Sequence, residues 1–236
     1  MCTISFVNHN NLKILTFNRD EDSSKPASSP FQSITFKDKH LIAPIEPLKK
    51  GTWFVVSPSG EFAVLFNGAE KSHISKPPYL KSRGIILLEL FSENSMQQSW
   101  EQIELNRIEP FSIIHFNNDE LLKFQWNGKK KNVEQLKIEQ NHIWSSYTLY
   151  APSIQKNREL FFQNYMETTP QILANDIFNL HQSDFLAHQP LGAIYEQKAN
   201  IHTKSISQLV LNSSEIKLKH LDLINHQLSI YNLSIQ

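Results

Sequence analysis

The alternation of apolar and polar residues at the start of the chain predicts a β-hairpin. Apolar and polar positions partly alternate over residues 2–7 and again over 12–17, which is typical of strands with one buried face. The polar cluster between them, residues 8–11, is typical of a turn. Because the outer ends of two antiparallel strands lie side by side, we expect Cys2 to lie beside residues 18–22, which follow the second strand.

The rest of the chain is predicted to form hairpins separated by pairs of helices. β-Branched and aromatic residues predict strands at 33–36, 40–43, 53–56, 62–66, 111–116, 121–126, 133–138, 205–211, 216–221 and 227–230. Helical patterns occupy 83–91, 96–107, 153–166 and 170–181. Antiparallel strands alternating with helix pairs favour a layered α+β fold, with helices covering stacked sheets, over a βαβ nucleotide-binding fold.

Composition narrows the class of function. The 236 residues with 40% apolar content are enough for one domain with a sizeable core, so we expect a single domain over 1–236. Lys and Arg number 23 and Asp and Glu also number 23, so no general electrostatic attraction to nucleic acid is expected. The partner we expect is a small-molecule substrate or ligand. Purely apolar runs such as residues 85–88, or the longer 62–66, are far too short to cross a bilayer, which favours a cytoplasmic protein without a membrane span.

The single cysteine, Cys2, is the first candidate for chemistry. One cysteine excludes an internal disulfide and a cysteine-cluster metal site, and we expect no metal. Removal of Met1 would leave a thiol and a free α-amine on the same residue. The pKa values of these groups, about 8.5 and about 7.7–8.0, are close enough for the amine to take the thiol proton. The alternative is a buried strand cysteine that acts as a small apolar side chain.

The polar run at residues 18–22 contains partners for such a thiol. A nearby guanidinium favours the thiolate, and Arg19 is in a position to supply that charge. Asp20 would anchor Arg19 or orient the amine. The alternative interpretation is a surface loop held together by an Arg–carboxylate pair.

These residues also carry a resemblance to a known family. Met1-Cys2-Thr3 followed by Asn18-Arg19-Asp20-Glu21 resembles the NRDE family, which includes the transport and Golgi organisation protein 2 homologues. Further segments match the family's motifs, in the family's order, over nearly the whole chain. They are residues 51–54 with 60–67, 82–84, 145–152 with Arg158, and 203–205.

The resemblance implies a fold and a set of site residues. The NRDE family is similar to the N-terminal-nucleophile hydrolases, especially the cysteine branch that cleaves penicillin V and conjugated bile salts. The fold it implies is α+β, a four-layer αββα sandwich. The catalytic residues it implies are Cys2 as nucleophile, Arg19 and either Asp20 or Asp22 as the groups that hold it, and Asn67 as an oxyanion-hole amide. The supporting residues it implies are Asn18, Glu21 and Ser146.

Two departures from the resemblance keep more than one function open. Ser146 stands where the cysteine branch has a second amide, and a hydroxyl does not reproduce amide geometry. Lys204 stands where the family's C-terminal motif has an arginine, which removes bidentate pairing. The first hypothesis is a cofactor-free hydrolase acting on a non-peptide amide C–N bond. The alternatives are a non-catalytic protein that binds and traffics haem or acyl-CoA and lipid, and a degenerate hydrolase with a structural role.

Overall fold

The computed structural model describes residues 2–27, 29–148, 150–183 and 200–235, which form thirteen strands and four helices. In chain order the strands are β1 (Cys2–His9), β2 (Leu12–Asp22), β3 (Gln32–Phe36), β4 (Lys39–Ala43), β5 (Phe54–Val56), β6 (Phe62–Asn67), β7 (Phe111–Asn117), β8 (Glu120–Trp126), β9 (Lys131–Leu136), β10 (His142–Ser145), β11 (Ile201–Leu211), β12 (Glu215–Asp222) and β13 (Gln227–Ser234). The helices are α1 (Arg83–Phe91), α2 (Met96–Gln102), α3 (Pro152–Thr168) and α4 (Ala174–Gln182).

The chain divides into two compact units. One combines the 27 N-terminal residues with residues 138–235, and the other is formed by residues 28–137. Because each unit contains one sheet and one pair of helices, the units are described in turn. The expectation of a single domain over 1–236 stays a prediction.

The first unit is built on an antiparallel six-stranded sheet with the order β10-β1-β2-β11-β12-β13. Helices α3 and α4 contribute to its apolar cluster through Phe162, Ile177 and Leu180, which pack with Val7 and Ile14 of the hairpin. Both hairpin residues are fully buried and pair with each other across the strands. Alternation along β1 therefore turns every second residue, Val7 among them, towards the helices.

The second unit is built on an antiparallel seven-stranded sheet with the order β3-β4-β5-β6-β7-β8-β9. Helices α1 and α2 pack on it through a buried apolar cluster. Trp100 of α2 meets the ring of Phe111 edge to face at 5.8 Å and the ring of Phe124 at 5.3 Å. This aromatic cluster holds the short helix α2 on the sheet.

Two glycines bring the start of α1 into backbone contact with the segment before β5. A Cβ atom on Gly84 would lie 2.7 Å from the carbonyl oxygen of Thr52 and 2.8 Å from its backbone nitrogen. A Cβ atom on Gly51 would lie 2.8 Å from the carbonyl carbon of Gly84. Any larger residue would force the two segments apart, which explains in physical terms why both glycines lie in matched motifs.

The predicted secondary structure is confirmed in outline and wrong at several boundaries. Residues 18–22 continue β2 instead of forming a loop, because β11 pairs with β2 as far as Asp22 and binds its backbone groups. The predicted helix at 96–107 ends at Gln102, where Ile103 takes an extended conformation. The pattern does not predict β10, which is four residues long and pairs with β1 alone. Among the described residues, no helix combines the length and apolar character that crossing a membrane requires.

Candidate active site

Cys2 begins β1, between β10 and β2 in the sheet. Its side chain is 3% exposed, and its carbonyl oxygen accepts a hydrogen bond of 2.9 Å from the backbone N–H of Ser146. The pKa of the Cys2 thiol is raised to about 11, chiefly by burial; the negative charge of Asp20 contributes to the rise and the positive charge of Arg19 opposes it. The thiol is therefore neutral at ordinary pH unless a base removes its proton.

Arg19 lies directly opposite Cys2 in the antiparallel pairing of β1 with β2. Directly opposed residues project to the same face of a sheet, so the guanidinium and the thiol share a face. Arg19 is buried, and its Nη2 atom lies 3.5 Å from Oε2 of Glu21. Burial opposes ionisation of Glu21, yet the pKa of this carboxyl is lowered, in part by the charge of Arg19. The hairpin thus places the buried Arg19 opposite Cys2, as the hairpin geometry predicts. The catalytic role of Arg19 stays a prediction.

Asp20 follows Arg19 along β2 and so faces the opposite side of the sheet. Its Oδ2 atom accepts a hydrogen bond of 2.8 Å from the hydroxyl of Tyr150, and its Oδ1 atom accepts one of 2.7 Å from the hydroxyl of Thr203. Burial raises the pKa of Asp20, while the hydrogen bonds from Thr203 and Tyr150 act in the opposite direction.

The two aspartates left open by the sequence occupy different surroundings. Asp22 ends β2, where its Oδ1 atom accepts hydrogen bonds from the backbone N–H and the hydroxyl of Ser24, at 2.9 and 2.6 Å. It therefore stabilises the turn that follows the strand. Asp20 is buried, whereas Asp22 is half-buried.

A β-bulge in β11 lies opposite this part of β2. Thr203 pairs with Asp20 and Ser205 pairs with Arg19, so Lys204 between them has no pairing partner in β2. A bulge redirects the side chains around it. Here the Lys204 ammonium donates to the carbonyl oxygen of Ser23, at 3.1 Å, and to that of Lys25. These two hydrogen bonds tie the turn after β2 to β11. Burial, with the charge of Arg19, lowers the pKa of Lys204.

Asn18 supports the packing of a helix on the sheet. Its Nδ2 atom donates to the carbonyl oxygen of His181 at 2.9 Å, and its Oδ1 atom lies 2.7 Å from Nδ1 of the same histidine. The Nδ1 atom therefore carries the proton, so Nε2 accepts from the hydroxyl of Ser5 at 2.8 Å. Burial, with the charge of Arg158, lowers the pKa of His181 to about 3.

The remaining predicted residues contribute in different ways. The backbone of Ser146 binds Cys2, and its hydroxyl lies 3.2 Å from that of Thr148. Asn67 ends β6 in the second unit, where it pairs with Phe111. Its role in an oxyanion hole stays a prediction. Met1 lies outside the described residues.

Sequence reasoning did not assign roles to several residues of the cluster. Tyr150, Arg158 and Thr203 lie in segments matched to the family, and their place in those motifs was the available signal. His181 and Ser5 lie in no matched segment, and nothing in the local pattern distinguishes them. Within the described ranges, no three His, Cys, Asp or Glu side chains are grouped so as to hold a metal ion.

Comparison with known proteins identifies both the family and the fold. The family model described as Transport and Golgi organisation 2 matches residues 1–220. The chain is similar to two solved structures of conjugated bile acid hydrolase from Clostridium perfringens, a mutant and a variant, with 11% and 10% identity and a TM-score of 0.64 for each. Each match covers 98% of this chain and 92% of that chain.

A third similar structure is a Caenorhabditis elegans N-acylethanolamine-hydrolyzing acid amidase ortholog, with 8% identity and a TM-score of 0.56. The match covers 88% of this chain and 92% of that chain. At these identities the likeness shows the fold, and the predicted α+β class of the N-terminal-nucleophile hydrolase type is confirmed. No curated protein matches in the sequence comparison.

Proposed function

This chain belongs to the Transport and Golgi organisation 2 family, and from that premise we propose that it is an N-terminal-nucleophile hydrolase of a non-peptide amide C–N bond. The observation that carries the proposal is the position of Cys2, buried at the outer end of β1 and directly opposite Arg19. The similar structures include hydrolases of conjugated bile acids and of N-acylethanolamines. These names support an acyl group in amide linkage to a small amine as the substrate class.

The first half of the proposed reaction transfers the acyl group to Cys2. The α-amine freed by removal of Met1 takes the thiol proton, and the guanidinium of Arg19 favours the resulting thiolate. The sulfur attacks the amide carbonyl carbon and forms a C–S bond. The C–N bond then breaks as the α-ammonium returns its proton to the leaving amine, which leaves a thioester on Cys2.

The second half of the reaction releases the acyl group. Water gives a proton to the α-amine while its oxygen attacks the thioester carbonyl carbon. The C–S bond then breaks, the α-ammonium returns the proton to the sulfur, and a carboxylic acid leaves. In both halves of the reaction, negative charge develops on the carbonyl oxygen, and a fixed hydrogen-bond donor is needed to stabilise it. The resemblance to the cysteine hydrolases assigns that donor to the side-chain amide of Asn67.

Asp20 has a function in this scheme because of the strand register. Cys2 pairs with Arg19, so the next residue of β2 lies beside the nitrogen end of Cys2. A carboxylate there attracts an α-ammonium group and orients it towards the thiol of its own residue. Asp20 therefore holds the amine and does not contact the acyl group.

The first test combines a measurement of the intact mass with an assay of substrate turnover. The protein is expressed with a native, untagged N-terminus, and its mass is expected to lack one methionine residue. Bile-acid amides and N-acylethanolamines are then supplied, and release of free amine is expected from the wild type and not from Cys2→Ala. Thermal unfolding of Cys2→Ala verifies that the fold is retained. Retention of Met1, or equal turnover by Cys2→Ala, would contradict the proposal.

The second candidate function is binding and trafficking of haem or of acyl-CoA and lipid without catalysis. It is favoured by the high pKa of the Cys2 thiol, about 11, and by the hydroxyl of Ser146, which stands where the cysteine branch has a second side-chain amide. A titration with haem and with an acyl-CoA tests it. Saturable binding that survives Cys2→Ala is the expected result for a carrier, and its absence excludes that function. The cytoplasmic location stays a prediction.

A further inference from the structure

The carboxylate of Asp20 is held by hydroxyl groups from two different parts of the chain. Tyr150, just before α3, donates to Oδ2 at 2.8 Å, and Thr203 of β11 donates to Oδ1 at 2.7 Å. Both oxygens accept a hydrogen bond, which favours the ionised carboxylate against the effect of burial. These bonds also fix the plane of the carboxyl group, since each oxygen is held from a separate direction.

Tyr150 is in turn fixed by Arg158. The guanidinium carbon of Arg158 lies 3.8 Å from the centre of the Tyr150 ring, within the range of a cation–π contact. Nη1 of the same guanidinium donates to Oγ1 of Thr3 at 2.7 Å. Arg158 is 1% exposed, so the arrangement is shielded from water. Arg158 of α3 therefore contacts both Tyr150 and Thr3, the residue that follows Cys2.

We infer that Tyr150 is a positioning residue: held by Arg158, it fixes Asp20 and through Asp20 governs the reactivity of the Cys2 thiol. The inference rests on the proposed function in taking Cys2 as the nucleophile. It does not require that a substrate be known, because the reactivity of a thiol is measured directly.

The direction of the effect follows from the charges around the thiol. Burial and the charge of Asp20 raise the pKa of Tyr150, so Tyr150 keeps its proton and remains a donor. Loss of this donor leaves the negative charge of the Asp20 carboxylate less compensated by hydrogen bonds. Since the charge of Asp20 is one of the causes that raise the pKa of Cys2, this pKa is expected to rise further. Among the described residues, the charge of Arg19 on β2 also acts on Cys2, and the charge of Arg158 on α3 also acts on Asp20. Glu21 on β2 and Lys204 on β11 are near enough to Arg19 for its charge to shift their pKa values.

The test uses the fact that Cys2 is the single cysteine. Alkylation by iodoacetamide, measured by intact mass across the pH range in which the fold persists, reports this thiol alone. Tyr150→Phe and Thr203→Val each remove one donor to Asp20. Both are expected to move the alkylation profile to higher pH, with about tenfold slower alkylation below the midpoint for each unit that the Cys2 pKa rises. Thr203→Ser keeps the hydroxyl and is expected to keep the wild-type profile.

A double variant separates action through Asp20 from a general loosening of the fold. Asp20→Asn alone is expected to lower the midpoint, and Tyr150→Phe added to it is expected to have no further effect. Tyr231→Phe, in β13 of the same unit, is the matched control and is expected to leave the profile unchanged.

Two results would overturn the inference. One is an unchanged profile in both Tyr150→Phe and Thr203→Val while both remain folded. The other is a Tyr150→Phe effect of equal size with and without Asp20→Asn. Equal turnover by Cys2→Ala would remove the proposed function and leave these alkylation results standing, so the two failures are distinguishable.

Discussion

Arg19 and Cys2 are directly opposed partners in the β1–β2 pairing, although 16 residues separate them in the sequence. Both side chains are buried, so the charge of Arg19 acts on the thiol with little screening by water. Of the groups near the thiol, Arg19 lowers the pKa of Cys2 and Asp20 raises it. The two neighbouring residues of β2 therefore act on the thiol in opposite senses.

Replacement of Arg19 by glutamine should make Cys2 less reactive. Loss of the guanidinium removes a charge that lowers the pKa of the thiol, so alkylation at a given pH should slow by about tenfold for each unit of pKa gained. Arg19→Lys keeps the positive charge and should slow the alkylation of Cys2 less than Arg19→Gln does. The rate of iodoacetamide alkylation measures both, and a faster reaction in Arg19→Gln would contradict the assignment.

Acid should destabilise the fold through His181. The pKa of His181 is lowered to about 3 by burial, with Arg158 also contributing, whereas an unfolded histidine titrates near about 6.5. Below about pH 6.5 the unfolded state binds more protons, so stability falls by about 1.4 kcal/mol per pH unit from this group until about pH 3. His220, with a pKa of about 4, acts in the same direction.

Urea unfolding at neutral and mildly acidic pH measures this dependence. His181→Gln should be less stable at neutral pH, because the bonds to Ser5 and Asn18 are disturbed, and its stability should depend less on pH. A wild-type slope retained in His181→Gln would show that another group is responsible.

Gly84→Ala should destabilise the second unit. The added Cβ would lie 2.7 Å from the Thr52 oxygen and 2.8 Å from the Thr52 nitrogen, both of them backbone atoms with little freedom to move. The expected loss is about 1–3 kcal/mol, which is typical of overpacking in a close-packed interior. Thermal and urea unfolding measure it. Gln97→Ala, at an exposed position of α2, is the control and should change stability by less than about 0.5 kcal/mol.

Lys204→Met should loosen the turn after β2. The ammonium binds the carbonyl oxygens of Ser23 and Lys25, and methionine cannot donate to either. Hydrogen exchange of the Ser23 and Lys25 amides should therefore be faster than in the wild type. Lys217→Met, at an exposed position of β12, is the matched control. Unchanged exchange in Lys204→Met would mean that other bonds hold the turn.

The sequence predicts contacts between residues that are close together along the chain. The proximity of Cys2 and Arg19 follows from one hairpin, whose strands alternate and whose turn is polar. The surroundings of Asp20 do not follow in this way, because Tyr150 is 130 residues and Thr203 is 183 residues away in the chain. No local pattern encodes such contacts, and the bulge at Lys204 that aligns Thr203 with Asp20 is likewise set by the pairing of distant strands.

The pairing of β2 with β11 also bears on the order of events during synthesis of the protein. The hairpin that carries Cys2 is made before β11, which supplies Thr203. Because chains emerge from their N-terminal end, the surroundings of Asp20 remain incomplete until β11 has been made. Under the proposed function this interval gives a processing enzyme access to Met1 before Cys2 is enclosed. Maturation of the nucleophile would then precede assembly of the groups that hold Asp20.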